Sequence, residues 1–177
     1  MSGSGPKQRL KDLDAQLAFT LERQAIDAVV DVGANAGQYA ARLRAAGWRG
    51  PILSIEPIPE LRDVSPTSAV LRRIVVPQRR LDGLDLVVAR PWRRLFVKVD
   101  VQGAEPAVLA GLDGHWPRVA GLQLELALLP LYDGEAPWLE PVADLAARGF
   151  APYLLFPGYF SRALGRQVQL DVVFYRA

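Results

Sequence analysis

Asp31, Gly33, Asn35, Gly37, Gln38 and Glu56 have the types and spacing of a polar ligand pocket at the carboxyl edge of a parallel sheet. Val29-Val30-Asp31-Val32 reads as a short buried strand that stops near an acidic residue, turns through glycines and opens a helix. Glycines let a ligand approach the backbone closely, and the free N–H groups of a first helical turn favour anionic groups. Ile52-Leu53-Ser54-Ile55-Glu56 is a second apolar strand ending in a carboxylate, the usual acceptor for ribose hydroxyls in nucleotide-binding α/β folds. Together these features point to a nucleoside-containing ligand. The plainer reading, in which Gly33 and Gly37 only make a tight turn, leaves the paired carboxylates Asp31 and Glu56 unexplained.

The glycine spacing narrows the choice of nucleoside. A dinucleotide fingerprint places glycines at G-x-G-x-x-G, the second one letting the backbone approach a pyrophosphate. Asn35 stands where that second glycine would be. A carboxylate at Asp31 suits a ligand with an ammonium group better than one with phosphates. S-adenosylmethionine carries an ammonium, a carboxylate and a ribose, and no phosphate.

Further along, charged residues sit inside apolar strands. Leu95-Phe96-Val97-Lys98-Val99-Asp100 alternates as a strand, and a lysine in a central strand is costly to bury unless it is paired. Alternation puts Phe96, Lys98 and Asp100 on one face, and Gln123 and Glu125 share a face on the next strand. The expectation is a Lys98–Glu125 pair with Asp100 at the pocket edge. This would be either a buried structural ion pair or part of a reaction centre with burial-tuned pKa values. Glu105 either caps the following helix or supports the loop that holds Asp100. His115, in a loop expected at the opposite edge of the sheet, reads as structural.

The elements that must position these groups follow the same alternation. Leu10, Leu13, Leu17 and Leu21 mark an amphipathic helix ending near Gln24. A strand over 29–32 is followed by a helix with Tyr39, Leu43 and Ala46 on one face, stopping at Gly47. Strands are expected over 51–55, 95–100 and 121–126, a helix opened by Pro106, and another helix over 138–148. Closing strands span 152–156 and 169–175. Between 57 and 95, prolines and arginines interrupt the pattern, and Ile74-Val75-Val76 is its clearest strand core; residues 84–89 read as a short helix or strand. Alternating strands and helices argue for an open α/β sheet. Residues 1–6 form a Gly/Ser lead, a flexible tail or cloning scar, and 7–177 are expected to make a single domain.

Composition bounds the chemistry. The chain has 177 residues, 50% of them hydrophobic, which is enough for one domain with a substantial core. It contains no cysteine, so disulfides, thiolate metal sites and a cysteine nucleophile are excluded. A lone histidine excludes a multi-histidine metal cluster. The net charge of +2 gives no reason to expect a nucleic-acid partner. The doublets Arg72-Arg73, Arg79-Arg80 and Arg93-Arg94 read as solvated faces before they read as an acidic-ligand site. No apolar run approaches the ~20 residues of a membrane span, and the default location is cytoplasmic.

The whole pattern resembles the FkbM-type family of S-adenosylmethionine-dependent methyltransferases. The resemblance rests on D-V-G-A-N-A-G-Q-Y from Asp31, I-E-P-I-P-E from Ile55, K-V-D-V-Q-G-A-E from Lys98 with V-L-A-G-L behind it, and L-D-V-V-F-Y-R from Leu170. The third block is the most specific of these. The resemblance implies a class I methyltransferase (Rossmann-like) fold, an α/β open sheet that is mostly parallel with an antiparallel C-terminal strand. It implies that Asp31, Gly33, Asn35 and Gln38 bind the methionine moiety, that Glu56 holds the ribose, and that Asp100 faces the sulfonium or the acceptor. It also implies O-methylation of a small hydroxylated acceptor, on a sugar or natural product. The family pattern is longer between Glu60 and Leu81, so either Ile74 to Arg80 substitutes for the family's third strand or one side of the adenine pocket is missing here.

Methyl transfer to a hydroxyl needs the acceptor oxygen held in line with the sulfonium methyl and a base or metal to remove its proton. Asp100 is the first candidate, followed by Glu125 or Lys98, and then Asp133 in a loop over 132–138 placed to cover the acceptor. Asp100 and Glu125 could instead share a divalent ion, without a conspicuous third ligand. Rival readings are a catalytically weakened binding or scaffold module and a nucleotide-dependent oxidoreductase, the latter disfavoured by Asn35.

Overall fold

The computed structural model describes residues 12–56, 79–84, 90–130 and 137–177. The expected strand at Ile74-Val75-Val76, most of 84–89, the shortened segment between Glu60 and Leu81, the Arg72-Arg73 doublet and Asp133 lie outside, or almost wholly outside, the described residues.

Helix α1 (Leu13–Arg23) starts where Asp12 accepts the Asp14 N–H at 3.0 Å, and Asp14 and Arg23 sit at the ends that suit their charges. It buries Leu17, Ala18, Thr20 and Leu21. Then come β1 (Ala28–Val32), α2 (Gln38–Ala45) and β2 (Ile52–Ile55). After a 3-10 turn at Leu81–Gly83 the chain forms β3 (Leu95–Val99), α3 (Glu105–Ala110), a second 3-10 turn at Asp113–Arg118 and β4 (Val119–Ala127). It closes with α4 (Leu139–Ala147), β5 (Phe150–Pro157), a small hairpin of β6 (Phe160–Ser161) and β7 (Arg166–Gln167), and β8 (Gln169–Arg176). The hairpin was not expected, because two-residue strands are too short to show periodicity.

The main sheet runs β2-β1-β3-β4-β8-β5, with β2, β1, β3 and β4 mutually parallel and β8 antiparallel to both its neighbours. Alternation along β1, β3 and β4 divides the core in two. Val30, Val97, Leu122 and Leu124 pack with Leu109, Trp116 and Leu145 on the α3 and α4 side. Val29 and Phe96 pack with Leu17, Leu21, Tyr39 and Leu43 under α1 and α2.

Asp27 fixes the amino end of β3, its Oδ2 accepting the Arg93 and Arg94 N–H groups at 2.7 and 2.9 Å. Arg94 also donates to Gln24 O, and Arg80 pairs with Asp82 and Asp113. These arginines therefore tie the fold together. His115 is buried in the turn before β4, at the amino end of that strand, as expected.

Candidate functional site

Chain reversal after β1 is constrained tightly. Gly33 has φ +78°, and a Cβ there would collide with the backbone carbonyl oxygen of Asp100. Gly33 and Ala34 donate to Ile55 O at 3.0 and 3.2 Å, and Asp100 donates to Val32 O at 3.1 Å. The turn after β1 is thereby bound to the ends of both flanking strands. Asn35 has φ +48°, a conformation asparagine tolerates better than most residues, and its N–H donates to Glu56 Oε2 at 2.9 Å. Gly37, also left-handed at φ +82°, is the N-cap of α2, and no side chain caps that helix start. Its first N–H groups thus remain a place for an anionic group.

Beneath this loop lies a knot of charge. Asp31 is fully buried, and neither of its carboxylate oxygens accepts a hydrogen bond. Its counter-charge is Lys98, directly opposite across the β1–β3 register, with Nζ 3.2 Å from Asp31 Oδ1. The contact is an ion pair without hydrogen-bond alignment. The same Nζ lies 3.3 Å from Asp100 Oδ2, donates to Gly33 O at 3.2 Å and sits 5.4 Å from the centre of the Tyr39 ring. Burial pushes the Asp31 carboxyl above its usual range, and the Lys98 ammonium pulls in the opposite direction. Lys98 thus holds the acidic strand end, the glycine loop and Asp100 in one arrangement.

The expected Lys98–Glu125 pair is not formed. Lys98 is opposite Gln123, and Glu125 lies two residues further along β4, where it accepts from Gln169 Nε2 at 3.0 Å. Glu125 lines a separate small hollow with Glu105, Leu109 and Trp138. Glu105 accepts the Val101 and Gly103 N–H groups at 3.2 and 2.9 Å, so it stabilises the turn following Asp100.

A polar cavity of about 290 Å³ opens above the knot. Of the residues expected from sequence, Gly33, Asn35, Gln38, Lys98 and Asp100 line it. Asp31 lies under it, and Gly37 and Glu56 shape the loop that forms its wall. Ala34, Tyr39, Arg42, Gln123 and Asp171 complete the lining. Tyr39 donates its hydroxyl to Gln123 Oε1 at 3.0 Å, and Gln123 Nε2 donates to Asp171 Oδ1 at 3.2 Å. Burial, assisted by the Asp31 charge, raises the Tyr39 phenol well above its usual range and keeps it a donor. Burial also raises the Asp171 carboxyl. Sequence reading passed over Asp171, although an acid within the apolar run Leu170-Asp171-Val172-Val173 is the same signal that drew attention to Lys98.

The cavity thus sits at the carboxyl ends of β1 and β3, where open α/β sheets bind ligands. Many solved structures share this fold, among them the following three. Magnesium protoporphyrin IX methyltransferase (ChlM) from Synechocystis PCC 6803, with bound SAM, matches with a TM-score of 0.57 and 13% identity over 92% of this chain and 76% of that one. An O-methyltransferase from Bacillus cereus in complex with SAH matches at 0.55 and 12% identity, over 92% and 80% of the two chains. The methyltransferase domain of bacterial CtHen1-C matches at 0.53 and 12% identity, over 93% and 96%. The chain has the methyltransferase form of the Rossmann-like fold. No protein-family model and no curated protein sequence matches it. Within this fold the glycine loop, Lys98 and Asp100 all meet at one sheet edge. Among the described residues, no group of three or more carboxylates and imidazoles could hold a metal ion, and no helix is long and apolar enough to cross a membrane.

Proposed function

We propose that the chain is an S-adenosylmethionine-dependent methyltransferase that methylates a hydroxyl of a small acceptor. The observation that carries this reading is the cavity above the Asp31–Lys98–Asp100 knot, walled by a glycine loop whose helix N-terminus has no side-chain cap. The ligand-bound neighbours named above and the FkbM-type motif order both favour the same donor. The chemistry divides between the two ends of the pocket. The uncapped N–H groups at the start of α2 and the Arg42 guanidinium suit the donor carboxylate. Glu56, at the end of β2, suits the ribose hydroxyls while it holds the loop through Asn35. Asp100, 41% exposed and anchored by Lys98, faces the point where methyl transfer would occur. Lys98 serves as a positioning residue, because its ammonium is already engaged, paired with Asp31 and Asp100 and donating to Gly33 O.

Calorimetric titration of S-adenosylhomocysteine into the wild type and into Glu56→Ala tests the reading. The expected result is micromolar binding that collapses in the variant. A folded wild type that takes up no ligand would favour a binding or scaffold module.

A further inference from the structure

The site contains a carboxylate for which the donor has no evident use. Strand order sets out the ligand path: Glu56 follows β2, the glycine loop follows β1, Asp100 follows β3, and Gln123 and Asp171 stand beyond them on β4 and β8. A donor with its ribose at Glu56 and its amino acid on the glycine loop brings its reacting carbon near β3. What lies past that point on the cavity wall faces the acceptor. We infer that Asp171 is the acceptor-side carboxylate, held by Tyr39 and Gln123 and positioned to receive the proton of the acceptor hydroxyl. The inference rests on the methyltransferase reading above.

The geometry supports it at each link. Asp171 is half-buried, and no lysine or arginine among the described residues forms an ion pair with it. Its Oδ1 is taken by Gln123, whose amide cannot turn over without losing the Tyr39 hydroxyl donated to its oxygen. A half-buried carboxylate lining a cavity is stabilised when a ligand supplies a donor. In the reaction, the acceptor O–H proton passes to the Asp171 carboxylate and the oxygen pair forms the new O–C bond. The C–S bond breaks with its electron pair returning to sulfur, which leaves the neutral thioether. Burial raises the Asp171 pKa, which suits a group that must take a proton and later release it.

Sinefungin tests this without a known acceptor. Its amine-bearing carbon replaces the sulfonium sulfur and methyl group, so an ammonium occupies the path from donor to acceptor. The wild type should bind sinefungin about tenfold more tightly than S-adenosylhomocysteine, the scale of one charge-assisted hydrogen bond. Asp171→Asn should abolish that preference while its affinity for S-adenosylhomocysteine stays within about twofold. Tyr39→Phe, which leaves Asp171 in place and frees the Gln123 amide, should reduce the preference in part with S-adenosylhomocysteine binding unchanged. If Asp171→Asn fails to fold, the Tyr39→Phe result decides. A preference that is absent, that survives both substitutions, or that is lost only in Asp100→Asn overturns the assignment and leaves the donor reading intact. Binding of neither ligand by the folded wild type overturns both.

Discussion

Lys98 is the residue on which the site's electrostatics depend. A lysine this deep in a sheet costs several kcal/mol to desolvate, and two carboxylates and a carbonyl oxygen offset that cost. Removing one partner of a buried pair leaves the other charge uncompensated. Lys98→Met should therefore destabilise the protein by about 3–5 kcal/mol in urea denaturation, and ligand binding should fall as Asp100 and the loop lose their anchor. Asp171 makes a different prediction, because burial raises its pKa. In the interval between the ordinary carboxylate value and the raised one, the folded state holds a proton that the unfolded state has released. Stability therefore falls as pH rises through that interval, and the cost is full above it. Asp171→Asn removes the cost, so its melting temperature relative to wild type should be more favourable at neutral pH than near about pH 4. Parallel pH profiles of thermal melting would check the sign, and equal offsets at both ends would refute it.

At the scale of elements, the turn between β1 and α2 makes two unequal demands on glycine. Gly37 has a left-handed backbone with open space where an added methyl would stand, so Gly37→Ala should cost about 1–2 kcal/mol from backbone strain alone. Gly33 combines the same backbone demand with direct contact on the Asp100 carbonyl. Gly33→Ala should cost about 3 kcal/mol or more and separate β1 from the Asp100 turn, with loss of S-adenosylhomocysteine binding. Comparing the two by denaturation and calorimetry distinguishes strain from steric exclusion. This turn was legible because its signals are local: a strand ending near Asp31, glycines at fixed offsets and a following helix. The Lys98 partner was not. Alternation states which face a side chain takes, but not how far along the neighbouring strand it falls, and β1 and β3, neighbours in the sheet, are separated in the chain by α2, β2 and the stretch up to residue 94. Asp171 escaped for a related reason, since β8 comes last in the chain yet lies between β4 and β5.

On the scale of the whole molecule, the cavity spans strands that the main sheet already holds side by side. Its walls come from the loop after β1, α2, β3, β4 and β8, and ligand binding would couple the parallel half of the sheet to its antiparallel closing strand. A ligand bound only by the native state adds RT ln(1 + [L]/Kd) to stability, about 2.7 kcal/mol at a hundredfold excess over Kd. For a chain of this size each kcal/mol moves the melting temperature by roughly 2–4 °C. Saturating S-adenosylhomocysteine should therefore raise the wild-type midpoint by about 5–10 °C. Glu56→Ala, which removes the acceptor of the Asn35 N–H at the rear of the loop, should melt with no ligand-dependent shift. Asp171→Asn, on the acceptor side, should keep the full shift. A ligand effect equal in all three proteins would mean that the donor does not bind across the glycine loop, because only a site remote from Glu56 could stabilise the fold without regard to it.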